Sequence, residues 1–319
     1  MNFEKVAEAI HSGNRFIVTS HANPDGDALG SMLALSIGLK SLGKNVKIYS
    51  QDGVPSPLAF LPSADKVTRD LTLEERFDVG FIVDCAERER VGELFARTKN
   101  IAKLVIIDHH IKSDPSGDIN LIDPKAPSTG ELVLRLLQTM KIPIDREIAI
   151  NVYCTLVADT GSFRYSNTTA DVFKTAAMLV EKGADPWDVS RNLFDSYPAN
   201  RLKALGMVLQ TLEISPDGRY ASIEVTRKMM QEASVDVETT EGFINYPRSI
   251  QSVEVAVQFR EEEEGKVKVS FRSKDQVDVA ALAHSFGGGG HIRAAGCTVE
   301  GPVKNVKRKI LNAVEEVLK

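Results

Sequence analysis

Cysteine is scarce in this chain and unpatterned. Its three cysteines, Cys85, Cys154 and Cys297, lie far apart and form no CxxC pair, which excludes a disulfide framework and a zinc knuckle and fits a reducing cytoplasm. Long hydrophobic runs are missing as well. No window approaches the ~18 consecutive apolar residues of a membrane span, and the opening MNFEKVAEAIHSGNRF has no basic start followed by an apolar stretch. The expectation is a soluble cytoplasmic chain with no export signal and no membrane partner. Basic residues are not in excess: 39 Lys and Arg stand against 44 Asp and Glu, a net charge of -5. Such a surface excludes a grip on long duplex DNA by massed phosphate neutralisation, so any nucleic acid it binds is short. Neither an internal repeat nor a low-complexity tract is visible.

What is present is ordinary globular material: 319 residues with 43% hydrophobic content, enough for about two domains. Residues 15–160 alternate short β-branched runs (RFIVTS, NVKIYS, DVGFIVD, KLVIID) with helical patterns. That alternation predicts an α/β fold with a parallel, doubly wound sheet. Between the first two runs, Leu29, Met32, Leu33, Ser36, Ile37 and Leu39 to Leu42 form a helical stripe closed by Gly43. From Ser128 to Gln210 the pattern is almost wholly helical, a flank leading into a connector. Thereafter RYASIEV, VEVAVQFRE and KVKVSFRS read as strands, with the acidic run Glu261 to Glu264 and Gly265 as a solvated hairpin tip. A final helix shows Val303, Val306, Ile310, Val314 and Val317 on one face after Pro302. The expected organisation is a catalytic domain over 1–190, a helical connector over 191–215 and a smaller α/β domain over 216–319, facing the first across a cleft.

In an open parallel sheet, ligands bind beyond the carboxyl ends of the strands, and the acids and imidazoles of this sequence collect there. RFIVTS runs into HANPDGDALGS, DVGFIV ends in Asp84, KLVII ends in Asp108-His109-His110, and Asp159 follows the helical stretch EIAINVYCTLV. So dense a group of carboxylates and imidazoles is electrostatically unstable unless cations neutralise it. Oxygen-rich ligands with some imidazole suit Mn²⁺ or Mg²⁺ rather than a thiolate zinc site. One ion would leave carboxylates over, so the expectation is a pair about 3.5–4 Å apart sharing one carboxylate. Asp84, alone at a central strand end, is the expected shared ligand, with His21 and Asp25 completing one site and Asp27, His109 and Asp159 the other. Taken singly, each part has a plainer reading: Asn23-Pro24-Asp25-Gly26 as a turn with Asp27 capping a helix, His109 as a structural residue, Cys85 as a small buried one. The offsets of Asp25 and Asp27 do not fit an EF-hand, because Ser36 stands where its bidentate Glu should fall.

A second cluster is FRSKDQVDVAALAHSFGGGGHIRAAG. Four glycines in a row, among them Gly288, Gly289 and Gly290, predict a loop whose backbone N–H groups approach an anion closely, though not a Walker loop, since no Gly-Lys-Ser/Thr follows. A flexible hinge is the alternative. Arg272 with the adjoining Ser273, His291 and Arg293 favour phosphate or base-edge binding.

Taken together, HANPDGDALGS, the DCA at Asp84, IIDHH, ADTGSF and GGGGHIRAAG closely resemble the DHH phosphoesterase family, in its two-domain branch with a DHH-associated C-terminal domain. Within that branch the chain is similar to the oligoribonucleases, or nanoRNases, some of which also dephosphorylate 3'-phosphoadenosine 5'-phosphate. The resemblance implies two Mn²⁺ ions on the same six residues. It implies that Asp108 holds the imidazoles, that His110 faces the substrate phosphate, and that Arg272 and His291 belong to the substrate pocket. Cys85 departs from the Ser or Thr expected after the Asp. The implied activity is hydrolysis of short oligoribonucleotides to 5'-mononucleotides by a homodimeric enzyme, with Asp84, Asp108 and His110 at the catalytic centre. Alternatives are a phosphatase for the bisphosphate alone, a phosphodiesterase for cyclic or linear dinucleotides, and a nucleotide-binding regulator without activity.

Overall fold

Strands form where β-branched runs are long enough to be buried on both faces, and helices cover those faces where the apolar period lengthens. The computed structural model describes residues 2–110 and 115–318, apart from the side chains of Glu264 and His291. The chain divides into two compact units, Met1–Ser196 and Tyr197–Lys319. Among the described residues no helix is long and apolar enough to cross a membrane.

In the first unit, helix α1 (Phe3–Ser12) precedes β1 (Arg15–Thr19), α2 (Gly26–Ser41), β2 (Asn45–Tyr49), β3 (Val67–Thr68), β4 (Val79–Val83), α3 (Glu93–Arg97), β5 (Leu104–Asp108) and β6 (Ile119–Ile122). Four helices follow: α4 (Thr129–Thr139), α5 (Arg146–Asp159), α6 (Ala170–Glu181) and α7 (Pro186–Phe194). The six strands are parallel in the order β3-β2-β1-β4-β5-β6. Alternate residues divide the two faces. Phe16, Val18, Phe81, Val83, Val105 and Ile107 pack with the residues of α1, α2, α4 and α5, whereas Ile17, Tyr49, Ile82 and Ile106 meet Val91 and Phe95 on the other face. The sheet is thus doubly wound.

The stripe read on α2 understates its burial: Leu29, Met32, Leu33 and Leu39 are enclosed, but so are Ala28, Gly30, Ser31, Ala34 and Gly38. The helix lies between the sheet and α4 and α5, so only its last turn, at Lys40 and Ser41, is exposed. Glycine makes this possible, since a Cβ on Gly30 would stand 2.7 Å from the Asn151 carbonyl oxygen on α5. Gly43 follows the helix at φ 75, as a helix-ending glycine does.

The second unit begins with α8 (Ala199–Leu209), followed by β7 (Glu213–Ile214), β8 (Tyr220–Val225), α9 (Arg227–Ala233), α10 (Asn245–Arg248), β9 (Val255–Glu261) and β10 (Lys266–Ser273). It ends with α11 (Val279–His284), β11 (Gly289–His291), β12 (Ala294–Glu300) and α12 (Val303–Val317). Its sheet is mixed, in the order β11-β12-β10-β9-β8-β7, with β8 and β9 parallel and the other pairs antiparallel. Val257, Phe259, Val269 and Phe271 pack under α11 and α12, while Ala204, Leu205 and Val208 of α8 pack with Ile223, Val225 and Phe243. The connector helix therefore belongs to the core of the second unit. On α12, Val306, Ile310 and Val314 are buried, but Val317 is 48% exposed and Leu318 takes the buried place beside it.

The glycine run is not wholly a loop. Gly289 to His291 form β11, an edge strand paired antiparallel with Ala294–Gly296. Small size is needed at two of the glycines: a Cβ on Gly288 would meet the Gly296 carbonyl at 2.2 Å, and one on Gly290 the Ala295 Cα at 2.5 Å. Gly289 faces open space.

Candidate functional site

The strand order reverses direction between β1 and β4, and that switch point is where an α/β sheet opens a crevice beyond its carboxyl edge. His21 follows β1, Asp84 follows β4, and Asp108, His109 and His110 close β5 or follow it. Asp25 and Asp27 arrive on the first turn of α2, and Asp159 is the last residue of α5.

The structure gathers these side chains into overlapping groups whose ligand atoms lie within 4.8 Å of one another: His21, Asp25 and Asp84; Asp27, His109 and Asp159; and Asp84, His109 and His110. Asp84 stands between the sets. Its Oδ2 is 3.6 Å from His21 Nε2, and its Oδ1 is 3.7 Å from His109 Nε2 and 3.6 Å from His110 Nδ1. Its backbone is left-handed at φ 59, a conformation that a non-glycine residue holds only when its surroundings impose it.

Two imidazoles are locked by their far nitrogens. His21 Nδ1 lies 2.8 Å from its neighbour Ala22's carbonyl, and His109 Nδ1 lies 3.1 Å from the carbonyl of Ala126. A carbonyl only accepts, so each Nδ1 carries the proton and each Nε2 turns a lone pair toward the carboxylates when the ring is neutral. His109 Nε2 is buried 2.9 Å from Asp159 Oδ2 and 3.6 Å from Asp27 Oδ2, yet has no well-aligned hydrogen bond. Lone pairs facing carboxylate oxygens need a cation between them, either a proton or a metal ion. The donor set fits divalent ions.

Protonation shows the same pressure. Burial, reinforced by the charge of Asp159, raises the Asp27 carboxyl to about 8. Burial and the neighbouring Asp27, Asp25 and Asp159 raise Asp84 well above the carboxylate range. For His109, burial opposes the charge, but the Asp159 and Asp27 carboxylates outweigh it and push the imidazole up to about 9. Without metal ions, the cluster retains protons.

Asp108 behaves differently. Burial works to raise it, but hydrogen bonds from the His110 backbone N–H at 3.0 Å and from Nδ1 at 2.7 Å prevail and hold it low. Asp25 is the N-cap of α2, accepting from the N–H groups of Asp27 and Ala28, so the cap is Asp25 and not Asp27. Asp27 is instead clamped from across the fold. The N-terminal N–H groups of α4, from Thr129 at 2.7 Å and Gly130 at 3.0 Å, donate to its two oxygens, and Ser31 Oγ donates at 3.1 Å. Thr129 Oγ1 donates to Asp84 Oδ1 at 2.9 Å. Sequence reasoning missed Ser31, Thr129 and Gly130. The available signal was Ser128-Thr129-Gly130-Glu131, a helix start in which Ser128 accepts from the Glu131 N–H.

In the second unit, Arg272 is the penultimate residue of β10 and its Nη1 reaches the Phe271 carbonyl at 2.9 Å. Ser273 is buried, with Oγ donating to the Val277 carbonyl at 2.7 Å, so it ties down the turn after β10. Arg293 donates to the Val277 and Asp275 carbonyls and stitches the same turn. The His291 side chain lies outside the described residues.

The family model for the DHH family, N-terminal domain, matches residues 15–158, and that for the DHHA1 domain matches residues 220–319. The chain is 32% identical to the bifunctional oligoribonuclease and PAP phosphatase NrnA of Thermus thermophilus, over 98% of this chain and 93% of that protein. Its identity to the protein of the same name from Bacillus subtilis is 30%, over 89% of this chain and 88% of the relative. The crystal structure of an exopolyphosphatase-related protein from Bacteroides fragilis superposes with a TM-score of 0.92 at 28% identity, covering 99% of this chain and 96% of that one. A matched DHH domain, a matched DHHA1 domain and near full-length relatives make this chain a member of the DHH family.

Proposed function

We propose that this protein is a divalent-cation-dependent hydrolase of phosphoesters. It cuts short oligoribonucleotides to 5'-mononucleotides and removes the 3'-phosphate of 3'-phosphoadenosine 5'-phosphate. The observation that carries the reading is the pair of Asp/His sets joined at Asp84, whose imidazole lone pairs face carboxylates. The names of the Thermus thermophilus and Bacillus subtilis relatives, matched over nearly their whole lengths, supply the substrate class.

His21, Asp25 and Asp84 would hold one ion, and Asp27, His109, Asp159 and the shared Asp84 the other. When bound, such a pair, for which we favour Mn²⁺ over Mg²⁺, neutralises the carboxylates, polarises phosphoryl oxygens and activates water for attack on phosphorus. His110 has its Nδ1–H held by Asp108, so its Nε2 is the atom that passes a proton to the leaving oxygen or meets the developing charge. For the second domain the reading assigns Arg272, His291 and the backbone at Gly289 and Gly290 to phosphate binding; the expected Gly288 N–H is instead spent on the Ala283 carbonyl at 2.9 Å, and Ser273 fixes the neighbouring turn. The acidic exterior adds no grip on a longer chain, which favours short substrates. A cytoplasmic homodimer belongs to the same reading.

The test is a product time course on a labelled RNA ladder of two to ten nucleotides, the bisphosphate, and linear and cyclic dinucleotides, each with Mn²⁺ and with Mg²⁺. Rapid release of 5'-mononucleotides from the shortest RNAs, with KM raised about tenfold or more by Arg272→Ala at unchanged metal binding, is the expected result. Hydrolysis of dinucleotides with no RNA of three or more nucleotides cut, or of the bisphosphate alone, would contradict it.

A further inference from the structure

Thr129 is wholly buried, yet nothing in its own helix uses its hydroxyl. Its two donors go to two carboxylates that come from different parts of the fold. The backbone N–H donates to Asp27 Oδ2 at 2.7 Å, and Oγ1 donates to Asp84 Oδ1 at 2.9 Å. The first of these bonds needs no particular side chain. It satisfies an orphan N–H at the start of α4, where a negative charge is welcome, and Gly130 adds a second such bond to Asp27. The hydroxyl bond to Asp84 is a different matter, since only a β-hydroxyl at this position can make it.

Asp84 needs such a constraint. Its two oxygens face opposite ways, Oδ2 toward His21 and Oδ1 toward His109 and His110. Rotation of the carboxylate about its Cβ–Cγ bond would turn it away from one set or the other. Its left-handed backbone is tied by the N–H bond to the Ile107 carbonyl at 2.9 Å, but that bond does not fix the side-chain torsions. A donor on Oδ1 does, and it also favours the ionised form that a metal ligand must adopt.

We propose that Thr129 is the positioning residue that fixes Asp84 as the ligand shared by both cation sites and couples it to Asp27. The assignment rests on the two-cation reading above. Removing the hydroxyl while keeping the shape should then weaken the pair of sites together. Metal affinity commonly falls 10–100-fold when a residue orienting a ligand is lost.

The experiment titrates the full chain with Mn²⁺, following bound ion by calorimetry and by the loss of the free-ion electron paramagnetic resonance signal, for wild type, Thr129→Val, Thr129→Ala and Thr129→Ser. Melting temperature in EDTA is recorded for each. Thr129→Val and Thr129→Ala are expected to bind Mn²⁺ about 10–100-fold more weakly, with turnover recovered at high Mn²⁺, while Thr129→Ser stays within about threefold of wild type. The alanine variant decides the matter should the valine variant not fold. If both variants lacking the hydroxyl melt lower in EDTA but take up Mn²⁺ as wild type does, the hydroxyl is merely structural and the proposal is overturned. A wild-type chain that binds no divalent ion would overturn the two-cation reading instead, a separate outcome in the same titration.

Discussion

Asp84 is buried, left-handed at φ 59 and surrounded by the carboxylates of Asp27, Asp25 and Asp159. Without cations that crowding is a cost carried by the folded state, because burial and like charges both oppose ionisation. Asparagine tolerates the left-handed conformation, can accept the Thr129 hydrogen bond and carries no charge. Asp84→Asn is therefore expected to raise the melting temperature of the EDTA-treated protein by a few degrees at pH 8, by differential scanning calorimetry, while turnover falls about a thousandfold. A melting temperature lowered in EDTA would show that the charge is not the burden inferred. At this scale, sequence could name His21, Asp25, Asp27, Asp84, His109 and Asp159 because each follows a strand or opens or ends a helix. It could not name Thr129, whose partners are 45 and 102 positions away. Arg293 and Ser273 show the reverse failure: polar residues that look outward in a sequence pattern can be consumed by carbonyls of a neighbouring turn.

Helices α2 and α5 carry Asp27 and Asp159, and their separation is set by small residues. A Cβ on Gly30 would approach both the Asn151 carbonyl oxygen and Thr155 Cγ2 at 2.7 Å, and one on Gly26 would reach Ala158 Cβ at 2.9 Å. Backbone cannot yield as a flexible side chain does, so the helices must part. Gly30→Ala is expected to destabilise the fold by about 1–3 kcal/mol in urea unfolding and to weaken Mn²⁺ binding, because the two ligands move with their helices. Full stability in the variant would contradict that account of the packing. The strands β1, β2, β4 and β5 were legible because each is a β-branched run bounded by turn residues. The two-residue strands β3 and β7 and the four-residue β6 are too short to stand out from their loops. Strands β11 and β12 were hidden by glycine and alanine, which signal turns in a pattern but here allow backbones to approach closely. The stripe on α2 misled for a related reason: it left out Gly26, Gly30 and Gly38, which lie closely against α5 and α4.

Over the whole molecule, the site's protons couple stability to pH. Asp27 has a folded pKa of about 8 against roughly 3.9 unfolded, and His109 about 9 against roughly 6.5. Both are raised, so between the unfolded and folded values the folded chain holds more protons than the unfolded one. Their contribution is complete at low pH and is lost as pH rises through about 8 and 9. The melting temperature in EDTA should accordingly fall between about pH 4 and pH 9, most steeply between about 6.5 and 8 where both groups contribute, and saturating Mn²⁺ should remove that fall by taking the place of the protons. A flat profile in EDTA would contradict the protonation of the cluster.

Counting ions is the most direct test of the central claim. Equilibrium dialysis of the full chain against Mn²⁺ at neutral pH, with wild type beside Asp84→Asn, is expected to give two ions per wild-type chain and at most one, weakly held, in the variant. Two tightly held ions in Asp84→Asn, or none in the wild type, would contradict the assignment of Asp84 as the carboxylate shared between two cations.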